Sequence, residues 1–326
     1  MNQPAIRLEG VTKRFGGHVA VRDLSIEVPR GSVYGFIGPN GSGKTTTLRL
    51  ILHIFHPDSG TVEVLGERST RASNDSVGYL PEERGLYKKM KVSQLLSYYG
   101  QLKGMGTREA GRAAKEWLGR FEIDSWASKK IETLSKGMAQ KVQFISTVIS
   151  RPEILILDEP FSGLDPVNLE VIRDAIVELR QEGATIVFST HDMAMAEKMC
   201  DSIMMIFRGD KVLDGTLAAI RAEYGADTVR LRMEASGDLV RQHPAVEDVV
   251  DMGSYQEVRV KGDHQALLEF LVSKTRIHQF EIAQPSLHEI FVRIAGPEAT
   301  GATGVAGTTD SNQSTSAGES QEATRV

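Results

Sequence analysis

The sequence predicts an α/β protein: a strand-rich N-terminal lobe, a core built on a parallel sheet, a helical insert, and a small α+β unit behind them. Three observations predict it. Apolar runs at Val33–Ile37, Ile154–Leu157 and Thr185–Phe188 read as strands buried on both faces, the pattern of a parallel sheet covered from two sides. Apolar residues at helical spacing follow over Thr46–Ile54 and Val167–Arg180, so strand and helix alternate. From Val92 to about Ser150 the spacing is helical throughout.

In chain order, residues 5–66 carry short strands at Ile6–Leu8, Ser25–Val28 and Val33–Ile37, and at Thr61–Val64 after the turn Asp58-Ser59-Gly60. Ser76–Leu80 adds a strand and runs into the charged turn Pro81-Glu82-Glu83-Arg84-Gly85. In the insert, Val92, Leu95, Leu96 and Tyr99 share one helical face, as do Ala113, Trp117 and Phe121. Pro166 suits the first turn of a helix, because the amide it lacks has no partner there. Strand, helix, strand in this order implies right-handed crossovers with ligands at the carboxyl ends of the strands, where Asp158, Glu159 and His191 fall. A second unit begins near Gly225, with strands at Thr228–Met233, Val246–Met252, Glu257–Val260 and Gln279–Ala283 and helices at Ala266–Val272 and Leu287–Ile294. A short helix at Asp238–Gln242 would complete a split, ferredoxin-like order. The domains are therefore expected at 1–222, with the insert at about 92–150, and at 223–295; residues 296–326 are too polar to bury a core and read as a disordered tail.

Composition excludes several classes of protein. No apolar run approaches the ~20 residues needed to cross a bilayer, and the N-terminus lacks a signal peptide's apolar core, so the expected location is cytoplasmic. The single cysteine, Cys200, has no partner for an internal disulfide. A net charge of -5 argues against a broad basic surface, so nucleic acid is not an expected partner, although a local basic patch stays open.

The turn after Val33–Ile37 is Gly38-Pro39-Asn40-Gly41-Ser42-Gly43-Lys44-Thr45-Thr46, set between a strand and a helix. Its glycines permit backbone angles that a Cβ blocks, so successive N–H groups can converge on phosphate oxygens beside the positive end of the helix. Lys44 supplies an ammonium for the β- and γ-phosphates and Thr45 a hydroxyl for Mg²⁺. Asp158 can hold the metal directly or through water, and Glu159 can polarise an attacking water. Phe15, in a glycine-flanked loop ahead of the cradle, could stack on a base or pack in the core.

After the cradle come Val77-Gly78-Tyr79-Leu80-Pro81-Glu82, Leu134-Ser135-Lys136-Gly137-Met138-Ala139-Gln140, Ile154–Pro160, Ser162-Gly163-Leu164-Asp165-Pro166 and His191. This series resembles the ATP-binding subunit of ABC transporters over about residues 4–220. Leu-Pro-Glu-Glu-Arg-Gly-Leu-Tyr, Leu-Ser-Lys-Gly-Met and the closing Gln284-Pro285-Ser286-Leu287-His288-Glu289-Ile290-Phe291 resemble the exporter subfamily that includes sodium-efflux ATPase subunits. The resemblance implies a phosphate-loop ATPase of the ABC type that binds ATP with Mg²⁺. Glu159 would be the general base, His191 the γ-phosphate contact and Phe15 the adenine-stacking ring. Ser135 and Gly137 would face the cradle of a second ATP-binding subunit, identical or homologous, with Asp165 connecting the two sites. A multi-spanning membrane permease would complete the transporter, placing the chain on the cytoplasmic face of the plasma membrane with export as its direction.

Two departures matter. Lys136-Gly137-Met138 stands where the family has Gly-Gly-Gln, and Glu82 where it has a glutamine that reaches Mg²⁺ and the membrane subunit. A carboxylate retains an oxygen for the metal but loses the amide donor, so Glu82 is read as a coupling residue and its metal contact is left open. The alternative from another class is a soluble, non-transport ATPase of the same family acting on ribosomes or DNA; a third makes the C-terminal unit a small-ligand sensor. His53 and His56 lack the partners of a metal site, Met193, Met195 and Met199 read as core or dimer packing, and the run Lys88–Lys91 reads as a solvated loop or a docking element beside the membrane subunit.

Overall fold

The structure is a computed structural model that describes residues 3–68, 76–83, 85–224 and 228–296. Arg84, Gly225 and all of the expected tail after Gly296 lie outside the described residues.

The chain runs β1 (Ile6–Phe15), β2 (His18–Val28), β3 (Val33–Ile37), α1 (Lys44–Ile51), β4 (Ser59–Val64), β5 (Glu67–Arg68) and β6 (Val77–Leu80). The insert holds α2 (Val92–Leu102), α3 (Thr107–Arg120) and α4 (Lys136–Val148). Next come β7 (Ile154–Asp158), α5 (Pro166–Gln181), β8 (Thr185–Thr190), α6 (Met193–Met199), β9 (Ser202–Phe207), β10 (Asp210–Thr216) and α7 (Leu217–Glu223). The last unit is β11 (Thr228–Met233), α8 (Gly237–Val240), β12 (Val246–Asp251), β13 (Gln256–Val260), α9 (His264–Val272), β14 (Ile277–Ala283) and α10 (Leu287–Ala295).

β1, β2, β4 and β5 form an antiparallel sheet, and six strands in the order β10-β9-β3-β8-β7-β6 form the central one. In the central sheet β9, β3, β8, β7 and β6 pair in parallel, and β10 returns antiparallel on the edge. The continuous apolar runs follow from this position. Val33 and Ile37 of β3 face the helical side, with Leu155, Leu157, Ile186 and Phe188, while Tyr34 and Phe36 face the N-terminal lobe with Ile154, Ile156, Val187 and Leu48 of α1. The hairpin β9–β10 was not among the expected strands; β9 is buried along almost its whole length, whereas β10 is mostly open and lacks a clear two-residue alternation.

The helix after the glycine turn ends at Ile51 rather than Ile54, because His53 adopts a left-handed φ of 54° that stops the ladder. In the insert, Phe121 and Phe144 stack with centroids 5.7 Å apart and Trp117 meets Phe121 edge to face, all three buried at the junction of α3 and α4. The strands β11–β14 pair wholly antiparallel in the order β12-β13-β11-β14, the ferredoxin-like order, over a small core of Val229, Leu231, Val258, Leu267 and Leu271. α10 leaves that unit and inserts Leu287, Ile290 and Phe291 into the large core, where Phe291 meets Phe207 edge to face at 5.6 Å. Replacing Phe291 by Ala removes a buried ring, so the expected loss is about 3 kcal/mol in urea unfolding followed by circular dichroism.

Candidate nucleotide and catalytic site

The site assembles where three neighbouring strands end. Ile37 of β3 is in register with Thr190 of β8, and Ser189 of β8 with Asp158 of β7, so the residues that follow each strand emerge side by side. The Gly38 amide donates to the Thr190 carbonyl at 3.3 Å, which ties the first cradle residue to the end of β8.

The cradle needs glycine for two different reasons. Gly43 has φ 117° and a Cβ on it would lie 2.4 Å from the Ala20 carbonyl; Gly38 has φ 154° and its Cβ would lie 2.2 Å from the Ile206 carbonyl. The chain therefore threads between β2 and β9 with no room for a side chain, and the loop is held rather than loose. Pro39 closes a turn by accepting from Ser42 N at 3.2 Å, and Ser42 itself accepts from Gly209 N at 2.9 Å, so Asn40 and Gly41 form the tip. Lys44 opens α1, with Thr45 and Thr46 in its first turn.

Lys44 is buried and donates to the carbonyls of Gly38 at 2.7 Å and Pro39 at 3.2 Å, with Glu159 Oε1 at 3.5 Å. Burial pushes its ammonium below the ordinary lysine value, against the opposing pull of Glu159, Asp158 and Glu82. Asp158 Oδ1 accepts from Ser189 Oγ at 2.5 Å and from Thr45 Oγ1 at 3.2 Å. Its second oxygen, Oδ2, is buried without a hydrogen-bond partner among the described residues, as is Ser42 Oγ in the cradle. A carboxylate oxygen with spare lone pairs beside a threonine hydroxyl is the donor set a hard divalent cation takes, so these residues fit Mg²⁺.

Glu159 has φ 50°, a left-handed conformation that costs a non-glycine residue about 1–2 kcal/mol. Its amide donates to Ser189 Oγ at 3.0 Å and Ser189 O at 3.2 Å, holding the turn that aims the carboxylate back over the strand ends. His191 Nδ1 lies 3.0 Å from both Glu159 oxygens. A carboxylate cannot donate, so Nδ1 carries the proton, on a side chain that is half exposed.

The remaining expected residues fall into two groups. Phe15 stands at the end of β1, 44% exposed and edge to face with Phe55, so it does not pack in the core. Glu82 is exposed on a loop that Gln143 holds from α4 by donating to the carbonyls of Pro81 at 3.4 Å and Glu83 at 3.2 Å. Glu82, Lys136, Gln140, Gln143, Asp158 and Glu159 line one cavity of 380 Å³. Ser135 and Asp165, by contrast, cap α4 and α5 through Met138 N and Asn168 N, and a Cβ on Gly137 would lie 2.7 Å from Asn168 Nδ2. Their hydrogen bonds run to those helix ends and not to the cradle of their own chain. Backbone and side-chain bonds from Asn168 hold the Asp165 carboxyl below the usual carboxylate range.

Sequence reasoning missed Ser189, Gln140 and Gln143. Ser189 joins Asp158 to Glu159, and Gln140 donates to Pro160 O at 3.0 Å. Each acts through a hydrogen bond to a residue distant in sequence, which no local pattern signals.

Residues 21–162 match the family model described as ABC transporter, and residues 215–295 match the C-terminal domain of DrrA1-3-like ATP-binding proteins. The chain is 39% identical over 293 residues to an uncharacterized ABC transporter ATP-binding protein, YhaQ, of Bacillus subtilis (strain 168), covering 89% of this chain and 98% of that one. This chain belongs to the ATP-binding subunits of ABC transporters. This ABC subunit is also 30% identical over 309 residues to the daunorubicin resistance ATP-binding protein DrrA3 of Streptomyces coeruleorubidus, covering 91% of this chain and 98% of that one. A solved ATP-binding subunit of an ABC transporter superposes with a TM-score of 0.64 at 29% identity, over 68% of this chain and 93% of that one. The ABC ATPase family binds ATP.

Gly43→Ala is expected to weaken ATP binding at least about ten-fold in equilibrium titration, through strain and the Ala20 contact. Gly104→Ala, at φ 86° in open space away from the cradle, is expected to leave it unchanged.

Proposed function

We propose that this chain is the ATP-hydrolysing subunit of an exporter, in which two ATP-binding subunits close around two MgATP and drive a separate multi-spanning membrane subunit. The observation that carries the proposal is the group Asp158, Glu159 and His191, set against the cradle by the ends of β7 and β8. Cradle amides and Lys44 hold the β- and γ-phosphate oxygens. Thr45 Oγ1 and Asp158 would hold Mg²⁺, which would supply charge neutralisation on the phosphates. Glu159 orients a water and takes its proton as the water oxygen bonds to the γ-phosphorus; the bond to the β–γ bridging oxygen breaks, and ADP and phosphate leave. His191 holds Glu159 through Nδ1 and is assigned the γ-phosphate contact, which requires Nε2 to carry a proton as well, since a phosphate oxygen only accepts. Phe15 stacks on the adenine.

Ser135, Gly137 and Asp165 are assigned to the second subunit's nucleotide. Supporting this, Ser135 and Asp165 cap α4 and α5, and Gly137 lies against Asn168 where those two helix ends meet. A membrane partner is supported by an apolar groove of 380 Å³ between the end of α1 and α2, lined by Leu52, Ile54, Tyr79, Leu86, Tyr99 and Leu102 and bordered by the Glu82 loop. Glu82 would relay between that groove and the site. Export is supported by relatives named for daunorubicin resistance and for Nod factor export. In this reading residues 1–222 are the ATP-binding domain, 223–295 an accessory domain, and the chain works on the cytoplasmic face of the plasma membrane.

Glu159→Gln is expected to bind ATP normally and to hydrolyse it at least about 100-fold more slowly, while Lys44→Ala binds ATP poorly. Normal turnover by both purified variants would overturn the assignment. Extraction in detergent is expected to bring down a multi-spanning membrane protein; recovery of ribosomes or DNA instead would end the transport reading. Glu82→Gln is expected to lower transport more than ATPase rate, and the coupling role is lost if neither changes.

A further inference from the structure

The lysines at 88, 89 and 91 do not stand alone in the fold. Closure of the α2–α3 insertion brings the two chain segments at its base together as a short antiparallel ribbon. Val92 N donates to Lys129 O at 3.0 Å, Ile131 N to Met90 O at 3.0 Å, and Glu132 N to Lys88 O at 3.0 Å, with Lys91 paired across to Lys130. The ribbon therefore gathers Lys88, Lys89, Lys91, Lys129 and Lys130, all exposed. The acid within it, Glu132, lies 3.6 Å from Lys130 Nζ. This concentration of positive charge sits on a chain whose net charge is -5.

Beside the lysines, Tyr87 is 54% exposed and meets Tyr98, 40% exposed, edge to face at 6.2 Å. Tyrosines of this kind, apolar in body and polar at the tip, suit the headgroup layer of a bilayer. The cations in the ribbon itself are all lysine. A lysine ammonium is a mobile point charge without the fixed fork that reads one carboxylate in one orientation, so a cluster of lysines fits a fluid array of anionic groups better than a single shaped acidic partner.

We propose that this lysine ribbon is a contact surface for anionic phospholipid headgroups. It rests on the reading of the chain as a subunit that works at a membrane, and adds that the subunit touches the lipid itself and not only its membrane partner. The contact is electrostatic, so it weakens as salt screens the surface charge. Each lysine near an anionic surface is worth about five-fold in partitioning, so removing three costs on the order of 100-fold.

The test is co-sedimentation of the purified full chain, without any membrane subunit, with phosphatidylcholine vesicles and with vesicles carrying about 30% phosphatidylglycerol. Binding to the anionic vesicles and not the neutral ones, lost at high salt, is expected. A triple variant with Lys88, Lys89 and Lys130 each changed to Gln is expected to bind on the order of 100-fold more weakly while keeping its ATPase rate. The ribbon's pairing is backbone to backbone, so these changes leave it intact. A control with Arg108, Arg112 and Lys115 of α3 changed to Gln removes the same charge from another exposed face and is expected to bind as the parent does. Failure of the parent chain to bind anionic vesicles, or equal binding by the ribbon variant, would overturn the proposal. So would a ribbon variant that binds vesicles normally but no longer co-purifies with a membrane protein, since the surface would then belong to a protein contact. Failure of the transport reading is read separately, in what the parent chain brings down from detergent extracts.

Discussion

The parallel register of β3, β8 and β7 is the constraint on which the rest of this molecule depends. It sets Ile37 against Thr190 and Ser189 against Asp158, so the three chains leave the sheet at one level and their next residues must share a small volume. A shift of one residue in any of these pairings would turn the apolar side chains to the opposite face and separate Asp158 from Ser189 and Thr45. Two apolar cores, one on each face of the sheet, make such a shift costly. The site is thus positioned by residues that take no part in its chemistry.

What the register places together is not comfortable. Lys44 and Glu159 are both buried, Glu159 holds a left-handed backbone, and Asp158 keeps one oxygen without a partner among the described residues. Each of these opposes folding, and each is held by the packed strands beneath it. An ammonium that burial disfavours and a carboxylate oxygen with lone pairs to spare are groups that gain when a polyanion and a cation arrive. The strain held here and a fit to a polyanion with its cation are in this sense the same observation.

The helical insert and the C-terminal unit act on this centre from its margins. Gln143 of α4 holds the Glu82 loop, and Gln140 holds Pro160 just past Asp158 and Glu159, so the insert grips both ends of the cavity they share. α10 binds back onto α6, where Glu197 accepts from Leu287 N and pairs with Arg221 at 3.5 Å. α6 begins two residues after His191. The C-terminal unit is therefore joined to the helix that follows His191, although its own small core is separate.

The glycine turn, the acid pair after an apolar run and the histidine after another were legible because each is a local pattern: strand period, helix period and a turn that only glycine satisfies. The same held for most strand and helix positions, including the ferredoxin-like order after residue 228. Ser189 was not legible as a site residue, because its importance lies in a hydrogen bond to a residue 31 positions away. Nor were Gln140 and Gln143, whose partners are carbonyls on distant turns, nor the joining of Lys129 and Lys130 to Lys88–Lys91. The sequence by itself determined which chemical groups exist and which segment carries each. Which groups meet was decided by the tertiary structure, since strand order and loop closure are set by burying both faces of a sheet at once, a condition no single stretch of chain can express.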